Sequence, residues 1–198
     1  MFDIERIRTA YRLGRSFKAS DIQRLFNAAT VKTFGPKELL IRAGETNKFV
    51  HFIRRGLVRE FLVMDTGIEK TMSLRADHEI VASPDLYLFD QPARFSVQAL
   101  EQTTTWCIDD AALQSVIANN AAFQEHRKHI HLKLLKEAHQ RIESFVLYSP
   151  EERYQRYAKA KPHIMARAPD KYIAHVLGIT PVSLSRIRKR VHEKKTRE

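Results

Sequence analysis

Glycine is scarce and unevenly placed: six in 198 residues, with none between Gly67 and Gly178. That gap excludes from the middle of the chain any glycine-rich loop that wraps a phosphate in backbone N–H groups. Cysteine is scarcer still. Cys107 alone leaves no internal disulfide framework and no four-cysteine zinc or iron–sulfur site. It follows Trp106 in an apolar, strand-like stretch and reads as a buried, inert thiol. No run of about eighteen apolar residues occurs, so no transmembrane segment is expected. The opening MFDIERIRTAYRLG is charged throughout and lacks the apolar stretch of a secretory signal, which points to the cytoplasm. No catalytic triad or carboxylate pair can be placed and HExxH is absent, so an enzyme is not expected.

Charge is abundant and segregated. The chain holds 34 Lys+Arg against 23 Asp+Glu, net +11. Residues 1–125 carry 16 basic and 16 acidic side chains, net zero, whereas residues 126–198 carry 18 basic and 7 acidic, net +11. A neutral front and a basic back imply one part that senses or scaffolds and another that meets a polyanion. A membrane-surface helix would bring more Trp, Phe or Leu than Pro181–Val191, whose apolar residues beyond the proline are Val182, Leu184, Ile187 and Val191, so no membrane partner is expected.

The most specific pattern lies between Ala168 and Lys195. Ile173, Ala174 and Leu177 form an apolar helical face. Gly178 supplies a turn residue that tolerates positive φ. Thr180 followed by Pro181 starts a second helix, with a hydroxyl to cap it and a proline where no N–H is needed. Leu184 and Ile187 form the inner face of that helix; Ser183, Ser185, Arg186, Arg188, Lys189 and Arg190 populate the others. This is the layout of a helix-turn-helix, whose second helix enters the major groove of DNA.

Upstream, Ile4, Ile7, Tyr11, Ile22, Leu25 and Phe26 recur at helical spacing across residues 2–29, with a break near Gly14–Ser16. Turn glycines at 35, 44, 56 and 67 then pace runs of β-formers at 39–41, 49–53, 57–63 and 95–100, with Asp65-Thr66-Gly67 as a hairpin turn. A small antiparallel roll is expected from Val31 to about Ile108. Residues 110–147 return to a helical pattern, with a long helix over 121–147 that either pairs with a second copy or packs within its own chain. A further helix follows from Glu151 to about Lys161, and Pro162 and Pro169 punctuate the approach to the helix-turn-helix. The fold class is thus α+β: an N-terminal antiparallel roll with flanking helices over 1–120, a long dimerisation helix over 121–147, and a small helical helix-turn-helix domain over 148–198.

The segments LLIRAGETNKFVHFIRRGLVREF (39–61), PARFSVQALE (92–101), PEERYQRYAKAKP (150–162) and YIAHVLGITPVSLSRIRKR (172–190) together resemble the CRP/FNR superfamily of bacterial transcription regulators. The resemblance implies a jelly roll of the cyclic-nucleotide-binding type, a homodimer joined along the long helix, and double-stranded promoter DNA as partner, with RNA polymerase a further partner. Matched to the family pattern, Thr180 contacts a phosphate, and Pro181, Val182 and Arg186 face base edges. Arg186 suits a bidentate guanine contact and Val182 an apolar one. Ser183, Ser185 and Lys189 fall on phosphates, while Arg188 and Arg190 add field.

The family's phosphate cassette pairs a glycine with a glutamate and follows them with an arginine. The matching stretch here, HEIVASPDLYLFDQPARFSVQALE (78–101), has no glycine. Its effector-pocket candidates are Glu79, Asp85, Arg94 and Ser96. Alignment on Val97-Gln98-Ala99 puts Ala93 where the arginine belongs; in a strand a shift of one residue turns Arg94 to the other face, whereas an irregular loop would bring it inward. The roll is therefore read as structural or as sensing an unidentified small molecule, rather than binding cyclic AMP; no cofactor is expected. A cyclic-nucleotide-responsive regulator and a scaffold with a basic tail are the competing readings. His126, His129, His131 and His139 gather on the long helix, but nothing completes a metal ligand set. At a dimer interface they would make it pH-sensitive.

Overall fold

This computed structural model describes Ile7, Thr9, residues 18–118 and residues 120–197; within the helices nothing is stated of the side chains at 117, 122, 126, 127, 129, 130, 133 and 194–197. The order is α1 (Ala19–Asn27), β1 (Thr30–Phe34), β2 (Leu39–Ile41), β3 (Phe49–Arg55), β4 (Leu57–Val63), β5 (Glu69–Ala76), β6 (Ile80–Val81), α2 (Pro84–Leu88), β7 (Ser96–Ala99) and β8 (Thr103–Asp109). The helices α3 (Asp110–Ile117), α4 (Ala121–Leu147), α5 (Pro150–Ala160), α6 (Pro162–Arg167), α7 (Asp170–Leu177) and α8 (Pro181–Arg197) follow. The strands form two antiparallel sheets of four, ordered β1-β8-β3-β6 and β2-β7-β4-β5.

Period-2 alternation divides each strand between two cores. Val50 and Phe52 of β3, with Ile108 of β8, meet Ile22, Leu25 and Phe26 of α1 outside the first sheet. The Phe26 ring lies 5.4 Å from Phe52 and 4.6 Å from Trp106, distances at which tilted aromatic pairs attract. Ile53 of the same strand turns to the other side, where it joins Leu40, Ile41, Val58, Val81 and Val97 between the sheets. Ile53, Val58 and Val97 are fully buried, each stabilising by about 1.5–3 kcal/mol against exposure. The expected runs at 39–41, 49–53, 57–63 and 95–100 correspond to β2, β3, β4 and β7. Four strands fall outside those runs: β1; β6; β5, with five polar residues in eight; and β8, which opens on three threonines. Asp65-Thr66-Gly67 does turn β4 into β5, with the Met64 N–H donating to the Ile68 carbonyl at 3.0 Å.

Of the expected helix over 2–29, residues 19–27 are helical and the break near Gly14–Ser16 lies outside the described residues. Pro162 does more than punctuate: it occupies the first turn of α6, where a missing N–H costs nothing. The terminal helices do not hang from a solvated linker. Ile164 and Ala168, with Ile173, Ala174, Val176 and Leu177 of α7 and Leu184 of α8, share one hydrophobic cluster with Leu57, Leu74 and Ala76 of the roll. No helix among the described residues is long and apolar enough to cross a membrane.

His51 faces the interior, 1% exposed, with Nδ1 3.2 Å from the Thr105 hydroxyl. Burial, then the nearby Lys32 ammonium, push its pKa down to about 4. A ring that is neutral when folded and titrates near 6.5 when unfolded leaves stability intact above that pH and erodes it as pH falls toward 4. The loss between pH 7 and pH 4 is about 3 kcal/mol at about 1.4 kcal/mol per unit. Urea melts at both pH values should show His51→Gln losing that much less on acidification than the parent; equal losses would refute a buried neutral ring.

Candidate nucleic-acid interface

The site begins with the turn between α7 and α8. Gly178 adopts φ +66° and caps α7, a left-handed conformation that a Cβ penalises. A side chain there would also collide with its surroundings: an added Cβ would stand 2.5 Å from Cε1 of Phe145, near the end of α4. The last carbonyls of α7, which have no partner within the helix, receive arginines. Arg153 of α5 donates from Nε to the Leu177 carbonyl at 3.1 Å and from Nη1 to the Tyr148 carbonyl at 2.7 Å. Arg141 of α4 donates to the Val176 carbonyl at 3.4 Å. Both guanidiniums also lie over the Phe145 ring, Arg153 at 4.9 Å and Arg141 at 5.4 Å. Cations at a helix carboxyl end complement its dipole, so this cluster fixes where α8 starts.

The amino end of α8 is capped as its sequence demands. Thr180 Oγ1 accepts from the Ser183 N–H at 3.1 Å and lies 2.9 Å from the Ser183 hydroxyl. Leu184 and Ile187 are buried, 0% and 3% exposed. Pro181, Val182, Ser185, Arg186, Lys189 and Arg190 are exposed, while Ser183 and Arg188 are half-buried. The basic residues divide in two groups. Arg188 donates to both oxygens of Asp170 on α7, at 2.7 and 2.8 Å, and Arg190 to Glu151 on α5, at 3.1 Å. These two brace the helix. Arg186 makes no ion pair among the described residues, and Lys189 only a 4.0 Å contact with Glu193 one turn on. The helix therefore presents its N-terminal half and Arg186 on one open face.

What sequence reasoning missed is how this helical unit is held on the roll. Arg59 of β4 is 2% exposed. Its guanidinium is sandwiched between Phe61 and Tyr172 of α7, at 4.0 and 4.5 Å, and donates to Gln98 and Glu69. His175 Nδ1 accepts from the Thr71 N–H at 3.2 Å; burial, then Lys70, Lys171 and Arg59, lower the imidazole pKa and keep that lone pair free. Arg167 bridges Asp77 and Glu101, and Lys161 pairs with Glu79. Alternating polarity in β4 announces a buried arginine no more than an exposed one, so no local signal could have revealed it.

The effector-pocket candidates do not converge. Glu79 lies on this seam, paired with Lys161 and 3.8 Å from Arg75; burial raises its carboxyl, but those cations hold it below the ordinary value. Asp85, 3% exposed, accepts from the Arg94 backbone N–H and Nε at 3.1 and 2.7 Å. Ala93 is buried while the Arg94 side chain is 76% exposed. Ser96 Oγ accepts from the Ala43 N–H. Asp85 thus occupies the arginine, and no second cation stands beside it among the described residues. No group of histidine, cysteine and carboxylates suited to a metal occurs among the described residues, and the His126 and His129 side chains lie outside them. Cys107 is buried, and burial raises its thiol pKa.

Gly178→Ala should destabilise the fold by about 2 kcal/mol, from the left-handed backbone and the Phe145 collision together. The same change in a Phe145→Ala background should cost less, and a double-mutant cycle by urea denaturation measures the difference.

Residues 31–120 match the cyclic nucleotide-binding domain family. No curated protein sequence matches the chain. FixK2 from Bradyrhizobium japonicum is similar in structure, with TM-score 0.73 at 16% identity over 84% of this chain and 86% of that one. A CooA variant from Carboxydothermus hydrogenoformans gives 0.65 at 16% over 98% and 85%. The c-di-GMP-responsive regulator CLP from Xanthomonas campestris gives 0.64 at 14% over 90% and 93%. Residues 31–120 thus match the cyclic nucleotide-binding domain family, and the chain as a whole shares the fold of these three solved structures.

Proposed function

We propose that this protein is a transcription regulator that reads double-stranded promoter DNA as a homodimer through α8, with residues 1–120 as sensor or scaffold, 121–147 as dimer helix and 148–198 as reader. The observation that carries the reading is the open face of α8. A capped, braced helix projects Pro181, Val182, Ser185, Arg186 and Lys189 from a rigid seat, with Arg186 unpaired among the described residues. Rigid placement matters because base-edge contacts need a fixed donor geometry. Thr180 and Ser183 at the helix start and Lys189 further along would meet phosphates, while Arg188 and Arg190 hold the helix and act on DNA only through their field.

The dimer reading rests on α4. Leu132, Leu135, Ile142 and Val146 are 56%, 67%, 64% and 74% exposed, and with His139 they fall at alternating intervals of three and four. That spacing makes an apolar seam for a second helix. Two chains joined there would place two copies of α8 on half-sites about one helical turn apart. Contact with RNA polymerase belongs to the same reading.

The roll is proposed not to hold cyclic AMP, since Asp85 occupies Arg94 and the segment lacks the glycine of a phosphate cassette. The alternative, a cyclic-nucleotide-responsive regulator, draws on the family match over 31–120. Calorimetric titration with cyclic AMP separates the two: the parent should give no saturable heat, and tight binding abolished by Arg94→Ala would reverse the preference.

Selection of bound sites from random duplexes should yield an inverted repeat. Arg186→Ala should relax discrimination at one base pair per half-site by about 1–3 kcal/mol. Lys189→Ala should weaken all sequences alike and flatten the salt dependence. A variant lacking Arg186 that binds its best site as the parent does would refute the groove assignment. Leu135→Glu should shift sedimentation from dimer to monomer.

A further inference from the structure

Three backbone irregularities meet at one corner of the roll. The β3–β8 ladder slips between Ile53 and Arg55, a bulge that leaves Arg54 without a cross-strand partner and re-aims its side chain. Gly56, next in the chain, has φ +138°, and a Cβ there would stand 2.3 Å from the Thr103 hydroxyl, so the chain can pass only as glycine. Across from it, His78 holds φ +66°, a conformation that costs a non-glycine residue energy and is kept where the surroundings impose it. Its N–H donates to the Ile53 carbonyl at 2.9 Å and the Ile53 N–H to the Glu79 carbonyl at 3.0 Å, tying the two corners together.

These corners border an open depression of 480 Å³ lined by Arg54, Arg55, Asp77, His78 and His163. The lining comes from both parts of the protein: four residues from the roll, and His163 from α6. Asp77 is already spoken for. Its Oδ1 accepts from the Gly56 N–H at 2.7 Å and its Oδ2 from Arg167. The Arg54 guanidinium lies 4.7 Å over the Trp106 ring, a contact that orients a cation without neutralising it. Among the described residues Arg54, Arg55 and His163 have no ion-pair partner. Two arginines and two histidines thus line a concave site whose one carboxylate is otherwise engaged.

We infer that this depression binds a small phosphate-bearing anion of at least two negative charges, gripped by Arg54 and Arg55 of the roll and by His163 of the helical unit. Paired guanidiniums favour phosphate, whose oxygens accept from two forks at once. Because the walls belong to both parts, an occupant would clasp the helix-turn-helix unit to the roll. The site stands whether or not α8 reads DNA.

Inorganic pyrophosphate serves as the probe, titrated calorimetrically into the full-length protein at physiological salt, with thermal melts alongside. Saturable binding is expected, with a melting temperature that rises with ligand as binding to the folded state requires. Arg55→Gln and His163→Gln, both at exposed positions, should each weaken binding at least tenfold, while Arg186→Ala leaves it unchanged. Parent-like affinity in both lining variants would overturn the site, as would an equal loss in Arg186→Ala, which would put the anion on α8. A separate arm measures duplex binding without pyrophosphate. Arg55→Gln should bind DNA as the parent does; a loss on every sequence would mean that the phosphates met here are those of DNA, and would end the small-molecule proposal.

Discussion

The carboxyl end of α7 is the point on which the molecule turns. A helix of eight residues must end, reverse and launch α8 in three residues, inside a packed cluster where stray carbonyls would be costly. Gly178 supplies the left-handed residue, and Phe145 closes over it so tightly that no side chain fits. Arg153 and Arg141 take the Leu177 and Val176 carbonyls. These groups come from α4, α5 and α7, so the turn that aims α8 also joins the long helix to the terminal unit. Any rotation of α8 relative to α4 must break charge-assisted hydrogen bonds and uncover an aromatic ring at the same time.

The second joint, between α7 and the roll, is built differently. Arg59 lies desolvated between two rings with carboxamide and carboxylate partners. A buried charge of this kind adds little net stability over an apolar substitute, but removing one partner is expensive. It therefore fixes position more than it strengthens the fold. His175 accepts from a strand N–H only while neutral. Its lowered pKa keeps that bond above about pH 6.5, the ordinary imidazole value, and the bond weakens as acidification protonates the ring. Neutral pH lies on the side where the seam is whole.

The local signals of the terminal unit could be read from sequence because each is short-range. Ala174, Gly178, Thr180-Pro181, Leu184 and Ile187 act within one or two turns, and all five take the positions that spacing assigns them. The strands paced by glycine were legible for the same reason. β5 and β8 were not: Thr71, Ser73, Thr103 and Thr105 are polar by composition, and only pairing with distant strands makes three of them buried. Proline as punctuation was right at Pro169 and incomplete at Pro162, where the same fixed φ begins a helix. The seam was invisible throughout. Arg59 meets Tyr172 across more than a hundred residues, and nothing within ten positions of either distinguishes them from surface residues. The Arg94 question was half legible: the one-residue offset from the family's arginine could be seen, but Arg94 lies in a bend before β7 rather than in a strand, and its capture by Asp85 needed coordinates.

These contacts change the meaning of the charge count. The excess of eleven positive charges lies in residues 126–198, which invites the picture of a uniformly basic reading head. Much of it is internal to the architecture. Lys161 answers Glu79, Arg167 answers Asp77 and Glu101, Arg188 answers Asp170, and Arg190 answers Glu151, while Arg141 and Arg153 serve carbonyls. An ion pair within the protein releases no counterion from DNA, so only cations facing phosphates set the salt dependence, at about 0.9 per contact in the logarithmic slope. On α8 that leaves Lys189 and Arg186 as the cations that the proposed reading assigns to a phosphate and a base edge. On the proposed reading the surplus charge would draw a duplex in from a distance, and a small number of side chains would decide where it stops.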